Sequence, residues 1–328
     1  MPRALGLVSL LFFAGASVVV SLAVGSVPIA FEDTLAALAG SLSGPAADIV
    51  WKLRLPRILA AFSCGGLLAL AGVLLQVLLR NPLADPYIFG VSGGAALGVL
   101  LAMLLGTGTM IQTGSGLAGA IAASALVFGL SFRTGNWNPY RLLLTGVVVA
   151  AGLNAALSLI LVLAPQTAVK GMLFWLMGDL SYATTPVEGF AVLVTGLLIA
   201  VASGRSLNLL AHGELVAATL GVTIQPLRRL IYVMASLFTA AAVTMGGSIG
   251  FIGLIVPHML RLQGVRDHRV LLPAAALLGG CLLVIADTLA RTLLAPRQLP
   301  VGTLTALIGV PVFLYLLYHS RERYGRDG

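Results

Sequence analysis

Residues 55–79 read LPRILAAFSCGGLLALAGVLLQVLL, and this stretch decides the class of fold. After Arg57 it contains no charged residue. A helix needs about 20 mostly apolar residues to cross the hydrocarbon core of a bilayer, because each residue adds only about 1.5 Å to its length. The stretch meets that requirement and predicts a transmembrane helix.

Nine further apolar runs lie on either side of this stretch, which makes ten in all. The run at about 250–261 is too short to cross a bilayer alone, so we expect a partial span there. The sequence therefore predicts an all-α polytopic membrane protein of about ten transmembrane helices, some short or broken, with residues 1–328 forming one membrane domain. The other runs lie at about 4–26, 88–105, 112–132, 142–164, 187–203, 228–248, 270–294 and 302–319.

The composition excludes an ordinary soluble protein. Hydrophobic residues make up 59% of the chain and charged residues only 9%, whereas a soluble domain carries roughly a quarter charged residues.

Arg3 before the first run could indicate a secretory signal. The apolar core of that run is longer than the roughly 7–15 residues of a signal, which favours a retained first span.

The net charge of +8 is explained by topology, so no nucleic-acid partner is expected. Cytoplasmic loops of membrane proteins collect Lys and Arg. If the chain starts inside and crosses ten times, the inner segments hold 13 cations and the outer segments 5. Both termini are therefore predicted to lie in the cytoplasm. The inner cations are Arg3, Arg80, Arg133, Arg141, Arg205, Arg228, Arg229, Arg261, Arg266, Arg269, Arg321, Arg323 and Arg326.

The sequence gives no sign of a bound metal or nucleotide. Cys64 and Cys281 stand singly inside apolar runs, and His258 has no second ligand nearby, so His258 is expected to be structural. The only lysines are Lys52 and Lys170, and neither follows a glycine-rich phosphate loop. We therefore expect no cofactor and no metal site on this chain, and any ATP and Mg must be bound by a partner.

Two charged residues lie within a predicted span. Asp287 and Arg291 are four residues apart, so they can face one another along one side of a helix. They form either a mutually satisfied pair or part of a transport pathway. The alternative functional class is an ion-gradient-driven secondary transporter, which usually needs acidic residues near the membrane midplane. Asp287 is the plausible candidate for that role.

Two stretches do not read as plain helix, at residues 80–86 and 246–253. Irregular backbone at membrane depth persists only where protein or a water-filled cavity surrounds it, so both are candidates for a pathway wall or gate. Most glycines within the spans are explained by close helix packing. A minority could line a pathway, and Gly93, Gly94 and Gly250 are the candidates.

Two loops between the runs are candidates for contact with other proteins. The cytoplasmic segment at about 205–226 contains a short amphipathic piece at 214–221. It could dock into a groove on a cytosolic partner or could be an ordinary connecting helix. On the outer side Arg54 and Arg57, joined by Arg297, could meet an acidic protein surface or could reach towards lipid phosphates.

Several motifs resemble the permeases of bacterial importers for vitamin B12, haem and ferric siderophores. The resemblance runs from about residue 50 to 320, with the motifs in the expected order. The motifs are RLPR at 54–57, NPLADP at 81–86, GFIGLIVPH at 250–258, DHR at 267–269, DTLAR at 287–291 and LPVGTLTA at 299–306.

The resemblance implies a homodimer in a bacterial inner membrane, built from ten-helix subunits with the translocation path at their interface. It also implies two cytoplasmic ATPase subunits, which bind ATP and Mg, and a periplasmic or surface solute-binding protein. By the same resemblance a gate closes the path at its cytoplasmic end. Other residues contact the ATPase subunits and the solute-binding protein. The implied residues are Glu214, Ala217, Ala218 and Gly221 for ATPase coupling, Asn81 and Leu83 for the cytoplasmic gate, and Arg54 and Arg57 for the binding protein.

The chain departs from the family pattern at residues 138–141, NPYR, where the vitamin B12 permease has small hydroxyl residues that form a further gate. That gate is therefore not carried over. Lys170 stands where some haem permeases carry a cation facing the path, which could attract propionates or other anionic chelates. The expected cargo is haem or cobalamin, with a ferric siderophore close behind.

Overall fold

The computed structural model describes residues 3–132 and 138–324, and every regular element in those residues is helical. A π-helical turn (Ile49–Arg54) leads directly into α4, and 3-10 turns occupy Pro86–Phe89 and Leu180–Tyr182. The helices are α1 (Arg3–Ala23), α2 (Phe31–Leu38), α3 (Pro45–Asp48), α4 (Leu55–Leu78), α5 (Val91–Leu104), α6 (Thr109–Phe132), α7 (Pro139–Leu163), α8 (Gln166–Leu176), α9 (Pro186–Ala202), α10 (Gly204–Ala211), α11 (Glu214–Thr219), α12 (Ile224–Gly246), α13 (Ile252–Leu262), α14 (His268–Thr292) and α15 (Val301–Tyr324).

Each of the ten predicted apolar runs coincides with one of these helices: α1, α4, α5, α6, α7, α9, α12, α13, α14 and α15. Six helical segments of the described residues are long and apolar enough to cross a membrane. A seventh results if α9 and α10, which are bent by 60° at their junction, form one span. The prediction of an all-helical polytopic membrane protein is confirmed. Arg133 and Arg326, two of the predicted inner cations, lie outside the described residues.

Helix α4 forms the centre of the bundle. It is buried along most of its length and packs against α9, α12, α13 and α14. A methyl group added at Gly72 would collide with the carbonyl oxygen of Gly253 on α13, and one added at Gly65 would collide with that of Gly279 on α14. Small residues let helices in a membrane approach this closely. The packing interpretation of the interior glycines is therefore right for α4.

A second group of helices consists of α5, α6 and α7, of which α5 and α6 pack against α12. The hydroxyl group of Tyr232 on α12 donates a hydrogen bond to the backbone carbonyl of Ser124 on α6 at 2.7 Å, and the Tyr232 ring lies against Phe89 and Phe128. Helices α1, α6, α7 and α15 expose large apolar side chains on their outer faces. Lipid or another protein must cover such faces, because exposed apolar area is unfavourable in water.

Helix α5 begins later than the run predicted at 88–105. Pro86 opens a 3-10 turn, and Gly90 then takes a positive φ of 69°, so the regular helix starts only at Val91. The Asp85 side chain caps the turn by accepting a hydrogen bond from the Tyr87 backbone N–H at 2.8 Å. The turn re-enters the protein interior, since the Pro86 ring lies against the Gly253 backbone.

Candidate functional site

Several helix ends meet at the irregular residues 247–251, which we call the central break. Helix α12 ends there and α13 begins there. A side chain at Gly247 would collide with the carbonyl oxygen of Trp175 in α8, and one at Gly302 in α15 would collide with that of Met177. Phe251 has a positive φ of 71°, a conformation that bulky residues rarely adopt. The irregular stretch predicted at 246–253 is therefore real, and four helices surround it.

Tyr87 joins the central break to the re-entrant turn at Pro86–Phe89. Its hydroxyl group donates to the backbone carbonyl of Ile249 at 2.8 Å and accepts from the backbone N–H of the same residue at 3.0 Å. The two predicted irregular stretches thus contact each other, and one side chain satisfies backbone groups that would otherwise be unpaired.

The predicted gate residues lie in a loop that directly follows α4. The Asn81 side-chain oxygen accepts a hydrogen bond from the Leu83 backbone N–H at 2.9 Å, and the Ala84 N–H bonds the Asn81 carbonyl at 3.1 Å. These bonds shape a tight turn that leaves the Leu83 side chain 44% exposed. We call residues 80–85 the gate loop. Its geometry suits closure against another surface, and the gating role of Asn81 and Leu83 stays a prediction.

The predicted coupling segment forms two short helices, α10 and α11, and glycines with positive φ flank α11 at Gly213 and Gly221. Ala218 is exposed, but Ala217 is completely buried and faces the protein rather than a partner. The most exposed large apolar side chains of this segment are Leu215 and Leu220. Ala217 is therefore packed inside the subunit, and its coupling role stays a prediction. The two leucines were missed, although their hydrophobicity in a charged loop is a usable signal.

Side-chain contacts anchor both ends of this segment. On α10, Asn208 donates to the Asp267 carboxylate at 2.9 Å and accepts from the His268 backbone N–H at 2.9 Å, which ties α10 to the start of α14. On α11, the Glu214 carboxylate forms ion pairs with Arg80 of the gate loop at 2.9 Å and with Arg228 of α12. The coupling segment is thus attached to the gate loop and to two long helices.

The predicted pair of Asp287 and Arg291 is confirmed, with Arg291 Nε lying 3.1 Å from Asp287 Oδ2. Asp287 has a second partner, because Arg57 at the start of α4 binds both carboxylate oxygens at 2.9–3.1 Å. Arg57 also donates to Ser181 at 2.9 Å and to Gln298 at 3.1 Å. We call these five residues the outer ionic cluster. Asp287 is only 1% exposed, so its charge is neutralised inside the protein.

Arg54 and Arg57, two of the predicted docking cations, both bond to other parts of the subunit. Arg54 is 3% exposed and donates to the backbone carbonyls of Leu22, Ala23 and Val27, and so joins α1 to α4. The Arg57 guanidinium group is occupied by the outer ionic cluster. Both side chains make internal contacts, and their docking role stays a prediction. Of the three predicted docking cations, Arg297 is the exposed one.

The four path candidates have different surroundings. Gly94 is buried, and a side chain there would collide with the Gly119 carbonyl of α6; it also lines a cavity of about 600 Å³ between α5, α6 and α7, and its path role stays a prediction. Gly93 is partly buried against Leu153 of α7. Gly250, in the central break, has open space where a side chain would stand. Lys170 is exposed on α8. For Gly93, Gly250 and Lys170 the path role stays a prediction.

The start of α7 explains the departure from the family pattern at residues 138–141. The Asn138 side-chain oxygen accepts hydrogen bonds from the backbone N–H groups of Tyr140 at 2.9 Å and Arg141 at 3.4 Å. Asn138 is therefore the N-cap of α7, with Pro139 in the first turn, where proline fits without loss.

Among the described residues, no group of three or more His, Cys, Asp or Glu side chains could hold a metal ion.

Comparison with known proteins agrees with the resemblance found in the motifs. The model of the FecCD transport family matches residues 11–319. The chain is 40% identical over 288 residues to the hemin transport system permease protein of Yersinia pestis, covering 84% of this chain and 86% of the relative. It is 44% identical over 278 residues to the cobalamin import system permease protein of Halobacterium salinarum, covering 84% and 74%.

A solved structure shows the same architecture. A metal-chelate type ABC transporter in an inward-facing conformation superposes with a TM-score of 0.84 at 31% sequence identity, covering 96% of this chain and 99% of the other. The family model and the solved structure both match nearly the whole chain. The chain is therefore a membrane-spanning transport permease that belongs to the FecCD transport family.

Proposed function

We propose that this chain is the permease of an ATP-driven importer that moves a metal chelate from the periplasm or cell exterior into the cytoplasm. Haem or cobalamin is the favoured cargo, since relatives at 40% and 44% identity are named as permeases for hemin and for cobalamin. A ferric siderophore is close behind. The observation that carries the proposal is the likeness to a metal-chelate type ABC transporter over 96% of the chain.

The proposed assembly contains two copies of this permease, each with ten spanning or partly spanning helices, and two ATPase subunits that bind ATP and Mg. The exposed apolar faces on α7 and α15 are surfaces that a second copy or lipid would cover. Helix α11 supports the ATPase contact, because Leu215 and Leu220 are 84% and 61% exposed beside charged side chains. A periplasmic or surface solute-binding protein delivers the cargo at the opposite end.

Both termini are proposed to lie in the cytoplasm of a bacterium, with the chain in the inner membrane. The ion pairs that these cations form with carboxylates support this arrangement. Arg80 and Arg228, two of the predicted inner cations, meet at the same carboxylate of Glu214. Arg57, one of the five outer cations, belongs to a separate cluster with Asp287. The proposal therefore assigns the end that carries α11 and the gate loop to the cytoplasm, where Lys and Arg collect in membrane proteins.

An ion-driven mechanism finds little support. Asp287 is the acidic residue that it would use, but Arg57 and Arg291 already neutralise this carboxylate. A proton or sodium site at Asp287 would have to displace one of the two guanidinium groups. The structure thus gives Asp287 a partnered role at one end of the bundle.

Uptake into proteoliposomes tests the proposal. The permease would be reconstituted with its ATPase and binding protein, and haem, cobalamin and a ferric siderophore would be offered in parallel, each with and without ATP. ATP-dependent accumulation of one of them is the expected result. Uptake that ignores ATP and follows an imposed proton or sodium gradient would overturn the proposal.

A second measurement tests the ATPase contact by itself. Leu215→Ser removes the most exposed apolar side chain of α11, so less ATPase should co-purify with the permease. Leu105→Ser, at an apolar side chain that follows α5 and is 78% exposed, is the matched control and should leave co-purification unchanged. Equal amounts of ATPase bound to the wild type and to Leu215→Ser would remove α11 from the interface.

A further inference from the structure

Helix α4 ends in an unusual way at Arg80. The backbone N–H of Arg80 bonds the Val77 carbonyl at 3.3 Å, and that of Asn81 bonds the Gln76 carbonyl at 3.2 Å. This pair of bonds closes a helix with one residue in the left-handed conformation, which usually is glycine. Arg80 occupies that position with a φ of 48°. In the described residues the same pair of bonds ends α2, α5, α11 and α13, each time at a glycine: Gly40, Gly106, Gly221 and Gly264.

An arginine at this position costs backbone free energy that a glycine would not cost. Its side chain must therefore serve a purpose that glycine cannot. The Arg80 guanidinium group lies 2.9 Å from Glu214 Oε1, at the first residue of α11. Arg228 of α12, which is buried, contacts the same oxygen. Glu214 thus stands between the gate loop and α12.

Stability does not account for the Arg80–Glu214 ion pair. The two side chains are 44% and 41% exposed, and ion pairs as exposed as this contribute little to the free energy of unfolding. A carboxylate in the first turn also interacts favourably with the helix dipole of α11. That interaction explains an acidic residue at 214, but it does not explain a strained arginine at 80.

The position of the pair suggests a mechanical role. Glu214 begins the helix that presents Leu215, and Arg80 directly precedes Asn81 in the gate loop. Gly213 and Gly221 flank α11 with positive φ, so both ends of the short helix are sharp turns of the backbone. A displacement of α11 would therefore move the groups that are bonded to its side chains. In the gate loop, the group bonded to Glu214 is the Arg80 side chain.

We infer that the ion pair between Arg80 and Glu214 transmits movement of α11 to the gate loop, and that Arg80 is a positioning residue for the cytoplasmic gate. This inference rests on the proposed function, since it takes α11 as the ATPase contact. It adds the contact through which ATP hydrolysis opens and closes the path. A contact of this kind needs little binding energy, because it has only to bias a loop with two arrangements.

Replacement by glycine separates the mechanical role from a structural one. Arg80→Gly removes the side chain and relieves the strained backbone, so thermal stability in detergent should equal or exceed that of the wild type. In proteoliposomes with ATPase and binding protein, the ATPase should still bind and hydrolyse ATP. The measured quantity is the number of molecules imported per ATP, for whichever of haem, cobalamin and the ferric siderophore the wild type accumulates. It should fall about threefold or more, which is the scale expected for loss of a coupling contact.

Three further variants sharpen this test. Arg80→Lys keeps the charge and should retain most of the import per ATP, and Glu214→Gln should lose as much as Arg80→Gly. In the double variant of Arg80→Gly with Glu214→Gln, the loss should be no greater than in the single variants, because one contact is removed in each case. Arg229→Gln, an exposed arginine next to Arg228, is the matched control and should import normally.

The inference and the proposed function fail in different ways. Full import per ATP by Arg80→Gly would overturn the inference while leaving the importer function intact. Losses that multiply in the double variant would also overturn it, because independent roles would then be shown. A wild type whose import does not depend on ATP would overturn the proposed function, and the inference with it.

Discussion

Gly72 of α4 and Gly253 of α13 touch backbone to backbone, so a single methyl group should be felt there. We predict that Gly72→Ala destabilises the protein by roughly 1–3 kcal/mol, because the new methyl group would collide with the Gly253 carbonyl and force α13 away. The measurement is the temperature of unfolding of the purified protein in detergent.

Gly129 of α6 is the matched control for that substitution. It lies on an exposed face of a helix, and no atom lies within 4 Å of the position where a side chain would stand. Gly129→Ala should leave stability unchanged or raise it by up to about 1 kcal/mol, because alanine favours helix more than glycine. Equal destabilisation by both substitutions would contradict the close approach of α4 and α13.

Asp85 should make the stability of the protein depend on pH. Burial raises the pKa of its carboxyl group above the ordinary 3.8, and the hydrogen bond from the Tyr87 N–H partly opposes this rise. Because the folded-state pKa is the higher one, the fold favours the protonated form, and this contribution is lost as pH rises above 3.8. Asp85→Asn keeps an oxygen acceptor without a charge, so it should flatten the fall in unfolding temperature over that range.

The control for this pH dependence is Gln225→Ser, which changes an exposed position without removing a titratable group. This substitution should leave the shape of the pH profile unchanged. Parallel pH profiles for the wild type and Asp85→Asn would contradict the account of Asp85. The measurement is the unfolding temperature as a function of pH in one detergent and at one ionic strength.

Individual side chains were predictable from the sequence only where the partner was close along the chain. The pair of Asp287 and Arg291 follows from helical spacing, whereas the contact between Arg57 and Asp287 joins residues 230 positions apart. Arg54 and Arg57 consequently resembled outward-facing cations. The orientation of Ala217 and the left-handed backbone of Arg80 depend on how short helices end, which composition does not record.

At the scale of the elements, the cations near the start of α4 have two possible roles, which are internal stabilisation and docking of the solute-binding protein. The outer ionic cluster allows the two roles to be tested separately. Arg57→Gln should lower stability by roughly 1–3 kcal/mol, because the buried Asp287 carboxylate keeps only Arg291 as a charged partner. Arg297→Glu should leave stability unchanged, because Arg297 is exposed, but should weaken binding of the solute-binding protein, most strongly at low salt. Unfolding temperature and binding affinity measure the two effects.

The reverse pattern would support the docking prediction for Arg57. If Arg57→Gln unfolds at the same temperature as the wild type and loses affinity for the binding protein, the guanidinium group faces the partner in the working assembly. Lys52→Glu serves as a further control, because Lys52 is an exposed outer cation that pairs only with the neighbouring Asp48 in the described structure.

The positions of the long elements were largely predictable, and their breaks were predictable in part. Lipid requires about 20 apolar residues per span, so the long helices leave an unmistakable pattern in the sequence. Proline and glycine marked residues 80–86 and 246–253 as irregular, and both are. The contact between these stretches through Tyr87 was not predictable, because it brings residues 87 and 249 together only in the folded bundle.

At the scale of the whole molecule, Lys170 tests whether a cation on α8 faces the cargo. Replacement by Ala should lower the uptake of haem in proteoliposomes by about threefold or more, because an attraction between the ammonium group and the propionates is lost. Lys52→Ala is the control, since it removes the only other lysine from an exposed position. Unchanged haem uptake by Lys170→Ala would remove this residue from the path.

The outer ionic cluster has a consequence for how the chain is made. Arg57 is synthesised long before Asp287, so α4 enters the bilayer while its carboxylate partner does not yet exist. Asp287 and Arg291 by contrast arrive on one turn of α14 and can neutralise each other on entry. Insertion of α14 therefore completes a contact that α4 has been missing since its own insertion. The packing around Arg57 in the first half of the subunit is therefore complete only when nearly all of the chain has been translated.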